Sequence, residues 1–164
     1  MEKRGQMELS FGMIFSIILI IVFISFSVYV TIKFLGFQDK VKIENFKESV
    51  QNSVNDIWKG TQGKNTVSYA LPNSIEKICF FDKTANAKGK DKDFYNLFLG
   101  LSLQENLMFY PEASGEGDNG IKIDNINLKN ITALENPLCV DNIGGKVTMN
   151  LKMNYGESLV TISR

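Results

Sequence analysis

Histidine is absent from the 164 residues. With it go the commonest general base, the commonest metal ligand and every triad that runs through an imidazole. An excess of one charge is lacking too: 18 Lys and Arg stand against 18 Asp and Glu. No net field steers the chain towards nucleic acid, and no basic patch interleaved with aromatics stands out. There is no Gly-rich phosphate loop, no nucleophile motif and no Cys/His metal constellation. The scattered Asp and Glu are the expected surface of any domain. The sequence therefore points away from an enzyme, with no catalytic residue, no cofactor and no nucleic-acid partner expected. The best candidate for a cation loop is 112–120, where Gly115, Glu116, Gly117, Asp118, Asn119 and Gly120 cluster oxygens on permissive turns. Its spacing is not that of an EF-hand, so an exposed turn without metal is expected.

What the sequence does have is a run at 9–32 of roughly 24 residues without one charged side chain, saturated with Ile, Phe, Val and Leu. At 1.5 Å per residue it would span about 36 Å, slightly more than the roughly 30 Å of bilayer hydrocarbon, an excess that tilt or a snorkelling Lys33 accommodates. A buried helix of a soluble core would show a polar face within two turns, and this run shows none. No second apolar span follows. The expected organisation is a short leader at 1–8, a transmembrane helix at 9–32, an amphipathic continuation at 33–60 and one β-rich domain at 61–164.

Lys3, Arg4 and Gly5 are followed by Gln6, Met7 and Glu8, and only then by the apolar run. That run is longer than the apolar core of a secretory signal, and no small-x-small cleavage site follows it. The pattern resembles the class III signal peptide of archaeal type IV prepilins, the likeness covering residues 3–32. In that family a prepilin peptidase cuts after the glycine on the cytoplasmic side, and the helix stays in the mature subunit. Carried over residue by residue, the resemblance implies processing after Gly5 and Gln6 as the new N-terminus. It also puts Glu8 in the place of the family glutamate that neutralises a neighbouring subunit's terminal amine during assembly. Glu8 would be the third mature residue, whereas the family usually carries that glutamate at the fifth, here Ser10. The partners implied are membrane lipid, the peptidase, and copies of the chain or related pilin subunits. The remaining reading of the same anchor is an uncleaved single-pass surface protein that binds a partner or stabilises an envelope complex.

Orientation is not settled by basic residues, because Lys3 and Arg4 are matched by Lys33, Lys40 and Lys42. Two other features lean towards an extracytoplasmic C-terminal domain. One is the sequon headed by Asn130, with Ile131 and Thr132, a site for an N-linked glycan. The other is the cysteine pair, Cys79 and Cys139, both beside β-prone residues. They either bridge, closing a loop of about 60 residues worth roughly 3 to 4 kcal/mol in the chain-entropy model, or remain two core thiols.

Beyond Lys33 the apolar residues Ile43, Phe46, Val50, Val54 and Ile57 recur at three and four, with Lys42, Lys47, Asn52 and Asp56 elsewhere. This reads as an amphipathic helix, with Gly36 a site for a kink at a cost of about 1 kcal/mol and Gly60 a C-terminal cap. Continuous from 9 to 59, it would be about 75 Å long. A break at 36–39 with an independent second helix is the alternative. Either way Phe46, Val50 and Trp58 should meet something apolar. From 61 the period shifts to two. Strands are expected at 66–71 and 75–81, forming a hairpin around Pro72 and Asn73, then at 105–110 and 121–128, with 94–103 ambiguous between helix and strand. An exposed loop is expected at 82–93. The clearest alternation, Val147, Met149, Leu151, Met153 and Tyr155, turns at Gly156 and Glu157 into 159–163 as a C-terminal hairpin. The fold class expected is α+β: a long N-terminal helix, membrane-spanning first and amphipathic second, packed on an antiparallel β-sheet domain.

Overall fold

A computed structural model describes residues 11–101, 104–112, 114 and 118–164. The chain divides into two units, 1–38 and 39–164. Helix α1, Phe11–Trp58, contributes to both. It is helical through Gly36, so the break allowed for at 36–39 does not occur.

In the second unit the face of α1 carrying Ile43, Phe46, Val50 and Val54 is buried. These four lie on one stripe at the spacing seen in the sequence. Removing each such side chain from water contributes about 1.5 to 3 kcal/mol, which is why the amphipathic half stays on the domain. Amide side chains fix its position: Gln51 accepts from the Asp124 N–H at 2.9 Å, and Asn125 Nδ2 donates to Asn55 Oδ1 at 3.1 Å. Trp58 does not meet the core as expected. It is 43% exposed, with its indole N–H donating to Ser158 O at 3.0 Å. Nor does Gly60 cap the helix in the left-handed form. Its N–H closes a tight turn on Ile57 O, and the left-handed glycines lie elsewhere, Gly144 and Gly145 among them.

Among the described residues seven strands follow: β1 Gly63–Ala70, β2 Lys77–Phe80, β3 Leu107–Tyr110, β4 Gly120–Ile121, β5 Leu138–Asp141, β6 Lys146–Met153 and β7 Thr161–Ser163. They form two antiparallel sheets, β1-β6-β7 and β4-β3-β2-β5. The C-terminal hairpin expected from the alternation is present as β6 and β7, with Leu151 opposite Ile162. The expected hairpin of the first two strands is not: β1 pairs with β6 in one sheet, and β2 pairs with β3 and β5 in the other. The segment around Pro72 and Asn73 is a crossover between sheets. Asn142 Nδ2 holds it by donating to Pro72 O at 2.9 Å and Ile75 O at 2.7 Å.

The inner faces of both sheets and the buried stripe of α1 make one core that includes Ile78, Phe80, Phe109, Met149 and Leu151. The four-stranded sheet is covered on its other face as well. There Cys79, Phe81, Met108 and Cys139 pack with Phe98 of helix α2, Tyr95–Leu101, under a 3₁₀ turn at Lys92–Phe94. Burial on both faces explains why 78–81 is a continuous apolar run rather than an alternating one. The ambiguous segment near 94–103 is thus a helix whose task is to cover the second face. Of the strand expected at 121–128 only Ile121 lies in a strand, β4, and Leu128 at its far end opens a short helix α3, Leu128–Ile131.

Candidate functional site

Among the described residues α1 is the one helix long and apolar enough to cross a membrane. Its part from Phe11 to Phe37 carries Ile, Phe, Val and Leu on every side, and none of these is buried. A helix apolar all round is stable only where something apolar surrounds it. The polar side chains in the run conform to this. Ser16, Ser25, Ser27 and Thr31 each donate their hydroxyl to the carbonyl four residues earlier, at 2.7 to 2.9 Å. A hydroxyl held on its own helix needs no water, which makes its transfer into hydrocarbon tolerable. At the end of the run Lys33 Nζ lies 5.9 Å from the Tyr29 ring centroid, placing the first cation beside an aromatic of the kind that favours a membrane boundary.

The processing and assembly residues singled out in the sequence, Gly5, Gln6 and Glu8, lie outside the described residues, as do Gly115, Glu116 and Gly117 of the cation-loop candidate. Asp118 of that loop is described, and it pairs with Lys47 at 2.6 Å. Burial tends to lower the Lys47 pKa. Hydrogen bonds and attraction from Asp118 and Glu44 outweigh it, so the ammonium is held above its ordinary range. No group of three or more metal-capable side chains occurs among the described residues.

The two cysteines are bridged. They sit directly opposite each other on β2 and β5, with Cα atoms 4.0 Å apart. That close approach is characteristic of a non-hydrogen-bonded antiparallel pair. Of the two readings left open by the sequence, the disulfide is the one found. Asn130 is exposed on α3, whereas the hydroxyl residue of its sequon, Thr132, is 2% exposed and donates to Leu128 O at 2.8 Å.

Several residues that organise the domain carried no signal in the sequence. Asn136 is fully buried, and its side chain bonds the loop that leaves β2. Arg164 donates to both carboxylate oxygens of Glu135 and, at 3.1 Å, to Cys139 O. It is also the cation nearest the buried Asp91 carboxylate, 3.6 Å away. An Asn or an Arg in a polar segment looks alike whether it is solvated or buried, so only the fold reveals these roles. A surface groove of about 590 Å³ lies between Trp58, Thr61, Met153, Tyr155 and Glu157 and is open to solvent. No protein-family model, curated protein or solved structure matches the chain.

Proposed function

We propose that this chain is a structural subunit of a type IV pilus-like surface filament, held in the membrane as a single-pass precursor with its domain outside and assembled through its N-terminal helix. The observation that carries the reading is the all-round apolar surface of α1 from Phe11 to Phe37, unburied and with its hydroxyls bonded internally. Such a surface exchanges lipid for other helices at little cost. The disulfide supports an oxidising location for the domain. The order basic pair, Gly5, Gln6, Glu8, apolar run supplies the processing signal. Glu8 is expensive at the membrane boundary unless hydrated, protonated or paired, and the amine of Gln6 on a neighbour would pair it.

The test is to determine the mature N-terminus and to shear cells for fibres, using the wild type, Gly5→Val and Glu8→Ala. Gly5→Val should abolish processing. Glu8→Ala should leave insertion and folding intact while reducing fibres. A chain that keeps Met1 to Gly5 and forms no fibres is instead a surface-anchored binding protein, a reading favoured by the open aromatic-walled groove at Trp58 and Tyr155.

A further inference from the structure

The outer face of the three-stranded sheet is uncovered and of one character. On β1 the outward positions include Lys64, Thr66 and Ser68, and on β6 they include Lys146, Thr148 and Lys152. No outward position on these strands or on β7 is acidic. The hydroxyls and amides run in hydrogen-bonded rungs: Thr66 Oγ1 to Asn150 Oδ1 at 2.6 Å, and Thr148 Oγ1 to Ser68 Oγ at 3.1 Å. At one end Lys64 stands directly opposite Lys152, and Lys146 stands at the other. Like charges facing each other across a ladder are destabilising. None of the three forms an ion pair among the described residues. The acids at the rim are engaged: Asp141 pairs with Lys77 at 3.2 Å, and Glu157, close enough to feel Lys152, accepts from the Asn154 N–H at 2.7 Å. In a chain whose charges balance overall, a sheet face whose outward strand positions carry lysines and no acid is a feature to be accounted for.

The complement is on the same domain. The side of α1 diametrically opposite the buried stripe carries Glu48, Asn52 and Asp56, all exposed, with Glu44 beside them. Glu48 and Asp56 have no ion pair among the described residues. Lys59, just past the helix end, marks the limit of the stripe. The two faces also match in length. From Glu44 to Asp56 the helix rises about 18 Å, and from Lys146 to Lys152 the strand covers about 20 Å. Helix stripe and sheet face lie on opposite outsides of the helix-on-sheet layers, so one copy cannot join them.

We infer that the acidic outer stripe of α1 in one subunit docks on the basic outer face of the β1-β6-β7 sheet in the next. The occupant of the sheet face is therefore a second copy of this chain, an inference that rests on the filament reading. A contact between two different patches does not close on itself, so it propagates copy after copy, as a filament requires and a two-fold dimer does not. Charge complementarity over matched lengths sets the orientation and register of the incoming copy.

The experiment uses the full chain in its membranes, treated with a zero-length carbodiimide that joins an amine to a carboxylate. Copies of mixed isotopic label separate links between chains from links within one. The expected result is amide bonds between Lys64 or Lys152 of one copy and Glu48 or Asp56 of another. K64E/K152E and E48K/D56K should each lower these intermolecular links about tenfold or more, because like charges then face across the contact. Co-expressing the two variants should restore them, since one interface formed is then the original and the other its charge-swapped equivalent. This rescue also shows that both variants fold. Fibres that form unchanged in both variants, without such links, overturn the interface while leaving the filament reading standing. A chain that keeps Met1 to Gly5 and never self-associates overturns both. Loss of binding to a dextran sulfate probe in K64E/K152E, with self-association untouched, overturns the second copy as occupant in favour of a polyanion.

Discussion

The side-chain amide of Asn136 forms a closed ring with the backbone of Asp82: Oδ1 accepts the Asp82 N–H at 3.0 Å, and Nδ2 donates to the Asp82 carbonyl at 2.8 Å. Nδ2 also reaches Ala85 O at 3.1 Å, and the Asn136 backbone exchanges two bonds with Lys88. A single side chain thus takes the place of a strand partner where β2 runs out.

Asn136→Ala should therefore be among the most damaging single changes outside the apolar core. It removes the partner of the buried Asp82 N–H and carbonyl together, a loss of about 2 to 4 kcal/mol. Denaturant unfolding in detergent, followed by Trp58 fluorescence, measures it. A loss under about 1 kcal/mol would contradict the role assigned to this side chain.

The bridge between Cys79 and Cys139 joins residues 60 apart in sequence. In the chain-entropy model the double Ala variant should lose about 4 kcal/mol, less whatever the strand pairing already restricts in the unfolded chain. Thermal unfolding of both proteins without reductant gives the difference. Identical midpoints would mean that the β2 and β5 pairing alone holds this sheet.

How far the chain could be read in advance depended on the range of the interactions. The α1 stripe and the β6 alternation are local periodicities, and both appear in the structure at the positions expected. The hairpin expected of β1 and β2 does not form, because a turn-rich Pro72 and Asn73 between two strands says nothing of a partner some 80 residues away, and Ser68 pairs with Thr148. The alternation of Ile and Leu with polar residues over 121–128 predicts one half-exposed strand. After Ile121, however, the backbone of Ile123 bonds the side chain of Asn106, both ways at 2.8 Å, and Asn125 adopts φ 63°. A side chain replaced the ladder there, and hydropathy does not record that substitution. Of the proposed site, the apolar run is plain from composition, whereas the basic sheet face exists only once β1 and β6 are side by side.

Tyr69 carries a buried hydroxyl with no hydrogen-bond partner among the described residues. Burial pushes its phenol above the ordinary range. Burial is the larger effect, and Ser53 beside it acts in the opposite direction. Tyr69→Phe keeps the edge-on contact with Phe46, 5.7 Å between centroids, and should leave stability unchanged or raise it by up to about 1 kcal/mol. The group is neutral in the fold and ionises more easily when unfolded, so its contribution is complete below pH 10.0 and fades as pH rises above it. Lys47, also held above its ordinary value, fades in the same direction above 10.5. Between pH 9 and 11 the variant should lose less stability than the wild type. A steeper alkaline loss in Tyr69→Phe would refute the assignment.

The apolar part of α1 should hold the protein in membranes against alkaline carbonate. Replacing Ile20 and Ile24 together by Asp should release it, because a carboxylate at the centre of a span costs about 2.5 to 3.5 kcal/mol even on the lower scales. Fractionation of both proteins checks this. Release of the unaltered chain would remove the anchor.

Each Ser hydroxyl described in residues 11–28 bonds its own helix, so this stretch offers a neighbouring helix no side-chain donor that must be matched at one height. Two such helices sliding past one another break no hydrogen bond and meet only ripples of van der Waals contact. A cable made from them would be axially compliant, and its pitch would be set by the polar domains at its surface.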